Sequence, residues 1–402
     1  MNCRRMLGSI AFIGFSSVAP VATGTTEPPT TLDARVLSMG STAVAHVHNG
    51  AAVYHNVAAL SEVQAYVVTA SLSALWVAQS APVNGPNTSL DNDVSLVPLF
   101  VVAGGYRVHE RIVLGLGAFT TGGFGSKYET TAPGPFELSL GAIELSPVAS
   151  FTIIDNFAVG IGYRLTYMVQ ELKARTPAPP PAPMGTLVDV ASDVSGFGAF
   201  GIHIGFYYRP IEPLKLGLAY RSKTTAALSG TATSGGQEFD TSVDFSFPHG
   251  LRWGAAYEAI PERFVVALDM RYLFHAEANE EIVTETNGVE TSQEIDWNDS
   301  FFVGLGLEYF VTEQFAARGG YSLTTSATPE NRPAPFFLPA GILNTFHLGG
   351  GIRLEKFDID VGGYYLFGSS EFEGPFVPPS GPVPGTYTVD ALTVAAGVTY
   401  RR

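Results

Sequence analysis

Cysteine is almost absent from this 402-residue chain: the single copy, Cys3, precedes an apolar run at the N-terminus. A disulfide framework is thereby excluded and, beyond that run, so are thiol catalysis and a cysteine metal site. Charge is scarce as well, with Asp, Glu, Lys and Arg at 15% of residues against about 25% in ordinary soluble domains, while 46% of residues are hydrophobic. So little charge cannot coat a large water-facing surface. What charge there is leans acidic, with a formal net of −15, so the basic footprint of a nucleic-acid binder is missing. Past the N-terminus no apolar run reaches the 18 residues of a membrane-spanning helix. Catalytic signatures are lacking too: neither G-x-S-x-G nor H-E-x-x-H occurs. "GFGAFG" at 196–201 fits G-x-G-x-x-G, but no helix pattern follows it, which argues against a dinucleotide cofactor. The expectation is a protein without enzymatic activity, cofactor or metal.

The N-terminus is built like an address. "MNCRR" is basic, "MLGSIAFIGFSSVAPVA" is apolar and "ATG" supplies small residues, so residues 1–24 read as a secretory signal peptide cut after Gly24. Residues 25–62 follow no period of two, and 41–60 are mostly alanine, valine and small polar residues. From 63 to 402 alternation takes over. Fourteen segments carry it: 63–76, 96–108, 111–120, 138–153, 157–170, 196–208, 214–223, 248–259, 263–274, 300–309, 314–324, 344–354, 357–367 and 389–400. Most approach or exceed the 9–11 residues that a tilted strand needs to cross a bilayer.

The connections alternate in length. Six are short, such as "HE" (109–110), "IDN" (154–156) and "EK" (355–356), and seven long ones lie between them. Phe157, Val159, Ile161, Tyr163, Leu165 and Tyr167 form one face of a strand, with Ala158, Gly160, Gly162, Arg164 and Thr166 opposite. A soluble sandwich turns its apolar face inward; here the small and polar face fits a narrow lumen and the apolar face fits lipid. The fold class expected is all-β: a 14-stranded antiparallel transmembrane β-barrel over 63–402, in the outer membrane of a Gram-negative cell, with 25–62 as an N-terminal lumenal plug (hatch). Outer-membrane lipids and the outer-membrane assembly machinery are the partners that such a fold implies.

On the lumen side fall Arg107, Arg164, Lys215, Arg221, Lys223, Arg252, Arg271, Arg318 and Arg353, against Glu258, Asp269, Glu308, Asp358 and Asp360. These charges fit either a structural ion-pair lattice, such as Asp269 with Arg252 or Arg271, or an anion site; a closed lumen must pair its charges. His46, His48 and His55 fit a metal site or packing within the plug, and with no Cys, Asp or Glu beside them packing is favoured.

Several stretches resemble the outer-membrane hydrophobic-compound transporters of the long-chain fatty-acid transporter (FadL/TodX) type. "ARVLSMGSTAVA…NGAAVYHNVAAL" resembles the family's hatch. "VLGLGAFTTGGFGSKYE" is similar to its third strand, and "IELSPVASFTIIDNFAVGIGY" to its fourth and fifth. "LKLGLAYRSKTTAALSG" resembles the seventh, and "RGGYSLTTSATPENRPAPFFLP" a loop before the last three strands. The resemblance implies uptake of long-chain fatty acids or hydrocarbons through a plugged barrel, with lateral release near a kinked third strand. It makes Asn56 and Ala58 hatch residues and Gly115, Gly117 and Gly122 candidates for the lateral gate. Glycines there also fit plain relief of crowding. Arg164, Lys215, Arg221 and Asn298 are the candidates for lumen contact with ligand.

Three departures stand out. Val57 replaces the hatch proline; Asn298 and Val169 stand where fatty-acid members carry basic residues; and the chain ends on Arg401 and Arg402 rather than on an aromatic. The second makes a neutral apolar ligand the expectation. A general porin and an adhesion or assembly barrel are the alternatives; a compact segment before the first strand disfavours the porin.

Overall fold

The computed structural model describes residues 33–402, apart from 48, 94, 130–133, 178–182, 184–185 and 376–381; the expected signal peptide and His48 lie outside the described residues. Strands dominate: β1 (Tyr66–Ala81), β2 (Leu90–Asp91), β3 (Ser95–His109), β4 (Ile112–Tyr128), β5 (Phe136–Ile154), β6 (Phe157–Pro177) and β7 (Leu187–Ile211). Next come β8 (Leu214–Arg221), β9 (Thr224–Ser234), β10 (Gln237–Phe247), β11 (Gly250–Ile260), β12 (Phe264–Leu273), β13 (Glu281–Thr286) and β14 (Val289–Glu294). The series ends with β15 (Ser300–Phe310), β16 (Phe315–Thr325), β17 (Ile342–Arg353), β18 (Phe357–Phe372) and β19 (Gly385–Arg401). Among the described residues no helix is long and apolar enough to cross a membrane.

Fourteen strands close into one antiparallel barrel: β1, β3 to β8, β11, β12 and β15 to β19, with β1 also pairing β19 from Val67↔Arg401 to Ser80↔Thr388. All six short turns fall where the alternation put them, and the seven long connections lie on the other side. Side-chain exposure follows the period of two. On β6, Ala158, Gly160, Gly162, Arg164, Thr166, Met168 and Gln170 are buried while Ile161, Tyr163 and Tyr167 are exposed. Aromatic pairs ring the short-turn end, such as Tyr66 with Tyr400 and Phe264 with Tyr309. Others, such as Tyr272 with Phe274 and Tyr321 with Phe346, ring the far end. Two aromatic girdles flanking an apolar band are the signature of a barrel in lipid.

Two long connections hold more order than their composition suggests. "SGTATSGGQEFDTS" contains most of the β9–β10 hairpin, turning at Gly235 and Gly236, and "EEIVTETNGVETSQE" forms the β13–β14 hairpin, turning at Asn287 and Gly288. All four turn residues have positive φ, between 52° and 80°, the geometry of a two-residue turn that matches strand twist. Strands β5, β6 and β7 run 19, 21 and 25 residues, well beyond a membrane crossing, and β7 hands over from β8 to β9 at Ser195↔Ser229.

The N-terminal segment comprises α1 (Ala34–Leu37), α2 (Ala52–His55) and a 3-10 helix (Val57–Glu62). Every described residue from 33 to 60 is buried. Most of its apolar residues pack in one cluster with inward residues of the wall, including Val101, Val113, Phe119 and Ala158, while Ala34 and Leu37 and, separately, Met39 and Ala45 join two others.

Candidate functional site

Small side chains let the N-terminal segment approach the strands backbone to backbone. A Cβ added to Gly160 would stand 2.6 Å from the Ala58 nitrogen, and one on Gly205 would stand 2.2 Å from Asn56 Oδ1. Asn56 joins these parts. Its Oδ1 accepts from the Ala58 N–H at 3.2 Å, capping the 3-10 helix. Its Nδ2 donates to the carbonyls of Val44 (2.9 Å) and of Phe206 on β7 (3.0 Å). Val57, the departure from proline, is fully buried and opens the 3-10 helix.

Charges of the wall are committed to this segment. Arg35 pairs with Glu308 at 2.7 Å, Glu308 with Arg318 at 2.6 Å and Arg318 with Asp360 at 2.6 Å, while His46 Nε2 lies 3.3 Å from Glu308. Asp269 Oδ2 accepts from the Ala43 and Val44 amides at 2.7 and 2.9 Å. Arg107 donates to the carbonyls of Ser61 and Val63 at 2.6 and 2.8 Å. Arg221 and Arg252 lie over the Tyr54 ring, at 4.3 and 4.7 Å from its centroid, and both reach its carbonyl. Burial, reinforced by Arg271, Arg252 and Arg221, holds the His55 imidazole well below its ordinary pKa; burial likewise lowers His46, against the opposing pull of Glu308. No group of three or more potential metal ligands occurs among the described residues.

Arg164 and Arg221 converge on one oxygen, Glu144 Oε2, at 2.9 and 2.7 Å. Glu144 is a lumen acid that the sequence reading left out, although it shares parity with Leu138, Leu140 and Ala142. Two other candidates lie elsewhere. Asn298 is exposed, outside the lumen, with its amide on the Ala327 carbonyl at 2.9 Å; its segment leaves the ladder before β15, so strand parity does not govern it. Val169 lies on the outward parity of β6, and the inward side chain beside it is Gln170. Lys215 reaches Glu62 at 3.7 Å near the short-turn end. There it lines a cavity of about 370 Å³ with Arg35, His46, Glu258, Glu308 and Arg353. Val265 and Phe310 share that lining with the charged groups.

Between β3 and β4 the wall ladder stops short. The β3–β4 ladder starts at His109↔Ile112 and stops at Val101↔Phe119. Beyond it β4 follows β5 alone, with a register shift at Thr121 between Thr120 and Gly122, and Gly123 at φ +152°. Phe100 donates its N–H to Thr120 Oγ1 at 3.3 Å, a side chain taking the place of a ladder carbonyl. Two residues on, at the same edge, Pro98 has no N–H to offer. Contact resumes at the rim, where the Asp93 amide meets the Lys127 carbonyl at 2.8 Å. Gly122 adjoins this gap. Gly115 and Gly117 lie below it, where an added Cβ would come within 2.9 Å of Leu60 and Val53 respectively, so they seat the N-terminal segment.

Beside the gap lies an apolar cluster under the long loops. It includes Leu140 and Ala142, paired with Phe124 and Gly122 of β4, and also Met168, Phe245, Phe247 and Trp297. Phe337, from the loop 326–341, packs on it, and Phe336 stacks on Phe136 at 5.2 Å. The loop is tied down by Tyr128 O–H donating to the Pro335 carbonyl at 2.7 Å.

Residues 29–401 match the family model described as outer membrane protein transport protein (OMPP1/FadL/TodX). The chain belongs to this family. A FadL homologue of Pseudomonas aeruginosa superposes with a TM-score of 0.83 at 15% identity, over 94% of this chain and 99% of that one. For the Pseudomonas putida toluene transporter TodX the values are 0.70 and 15%, over 94% and 99%. For the Ralstonia pickettii toluene transporter TbuX they are 0.69 and 17%, over 92% and 98%. No curated protein sequence matches. At these identities the structural likeness carries the fold, which this FadL/TodX-family chain shares along nearly all of its length.

Proposed function

We propose that this FadL/TodX-family barrel carries apolar small molecules across the outer membrane: captured under the loops, held in the apolar cluster, and released sideways between β3 and β4. Residues 33–62 act as a plug that closes the axial route. One juxtaposition carries the reading: the interruption of the β3–β4 ladder adjoins the apolar cluster, through Gly122↔Ala142 and Phe124↔Leu140. The axial alternative leads through buried ion pairs, which an apolar solute would have to part without supplying new partners. Buried contact at about 0.8 kcal/mol per CH₂ drives capture. Neighbours described as toluene transporters point to the same class of cargo.

The cargo is neutral. Arg164 and Arg221 share Glu144, Asn298 is exposed and Val169 faces outward, so the reading assigns no free cation to a carboxylate. The route is tested by deleting Thr121 together with Pro98→Val, which restores register and a ladder donor across the gap. Binding of a hydrophobic probe to the purified barrel should persist, while its uptake by cells carrying the barrel should fall at least tenfold. Undiminished uptake would mean that the gap is not the exit.

A further inference from the structure

Trp297 is 3% exposed and sits among the apolar cluster, with ring contacts to His275 at 5.9 Å and to Phe337 at 6.1 Å. Its indole Nε1 is fully buried and has no hydrogen-bond partner among the described residues. One chain crossing away, Thr328 is 2% exposed and its Oγ1 is equally without a partner. The two segments are held together by the Asn298 amide on the Ala327 carbonyl at 2.9 Å. A buried N–H with nothing to donate to carries an uncompensated desolvation cost. Phenylalanine would fill much of the same space without it. The cluster residues packed around Trp297 are apolar, and the polar side chain in ring contact with it, His275, makes no hydrogen bond to the indole nitrogen. Phe337, half-buried on a segment with no strand of its own, packs over the cluster from the loops.

We propose that Trp297 Nε1 is the specificity contact for cargo: it donates a hydrogen bond to the single uncharged oxygen of a ligand whose remaining body is apolar. The class is ketones, esters, ethers and alcohols on an alkyl or aryl body, in preference to plain hydrocarbons of equal shape. Phe337 occupies the position that the body of the ligand takes, and its loop gives way as cargo enters. Thr328 Oγ1 is the second donor for an oxygen with two lone pairs to satisfy. This inference rests on the reading of the cluster as the cargo chamber.

The experiment uses two ligands of one shape, 2-decanone and 2-methyl-1-decene, which differ in having C=O or C=CH₂. The purified full barrel is titrated with each by calorimetry, alongside Trp297→Phe, with heat-modifiable gel mobility reporting that both proteins are folded. The ratio of the alkene's Kd to the ketone's is the readout, since a change of cavity shape acts on both ligands alike. The ratio should fall about fivefold or more from wild type to Trp297→Phe. With Trp76→Phe and Trp253→Phe, Trp297 becomes the one indole in the chain, and the ketone alone should shift its emission. An unchanged ratio, or identical emission shifts with both ligands, overturns the proposal while leaving the chamber intact. Binding of neither ligand overturns the chamber reading and this inference together.

Discussion

At Glu144 a single carboxylate oxygen stands between two arginines in a place with no water-facing surface at all. Removing one member of such a buried set leaves charge uncompensated, at a cost of about 3–5 kcal/mol. Glu144→Gln should therefore lower the urea midpoint of the refolded barrel in lipid vesicles, read by gel mobility, whereas Glu171→Gln, on the outward parity of β6, should leave it unchanged. Glu144 was legible: it lies three alternations into a strand whose parity is plain. Asn298 and Val169 were not. A family likeness placed by neighbouring sequence carries an uncertainty of a residue, and along a strand one residue separates lumen from lipid. The partners of Arg107 and Asp269 were hidden for another reason. Both bind backbone groups of the N-terminal segment, and backbone amides and carbonyls leave no trace in composition.

Among the elements, the fourteen wall strands and their six tight turns could be read almost entirely from alternation, because the lipid outside and the packed lumen inside each impose a side. Above the membrane that two-sided constraint lapses, and there the boundaries moved: β4 continues to Tyr128 and β7 begins at Leu187. The hairpins β9–β10 and β13–β14 were missed although "GG" and "NG" announce their turns, since acidic, threonine-rich strands look like loop when only apolar alternation is counted. The seat of the N-terminal segment is an element property as well. Gly304, Gly306 and Gly320 on β15 and β16 face Met39 and Gly40; a Cβ on Gly306 would stand 2.3 Å from the Met39 carbonyl oxygen, while on the outward Gly319 its nearest neighbour would be 3.8 Å away. Gly306→Val should thus dislodge the plug and turn a nearly silent barrel into a conducting one in planar bilayers, as should deletion of residues 25–60. Gly319→Val should stay silent. Silence in all three would remove the plug from the account.

For the whole molecule, the proposed docking of residues 33–62 as a plug carries an expected coupling to pH. His55 has its pKa depressed by burial in this structure, and an undocked, solvated His55 would return to about 6.5. The undocked form therefore binds the extra proton, and docking keeps its full stability above that value and loses it as pH falls below. His46 is lowered in the same direction. Open-channel probability should rise by up to roughly tenfold per pH unit below 6.5 for each such group, and His55→Gln should flatten the profile. A flat wild-type profile would show that the imidazoles stay neutral throughout.

The seam between β1 and β19 has a consequence for how the molecule is made. Val67 pairs with Arg401, and the amides of Ala65 and Tyr66 both bond the Arg402 carbonyl, so the first and last parts of the chain must meet before the circle exists. Contacts of such sequence separation form late and slowly. The segment to be enclosed is synthesised first, and it finds its partners on β12, β15 and β17 only once those strands are laid down. Enclosure must therefore come no later than ring closure, for a chain that closed early would leave residues 33–62 outside with no way back in.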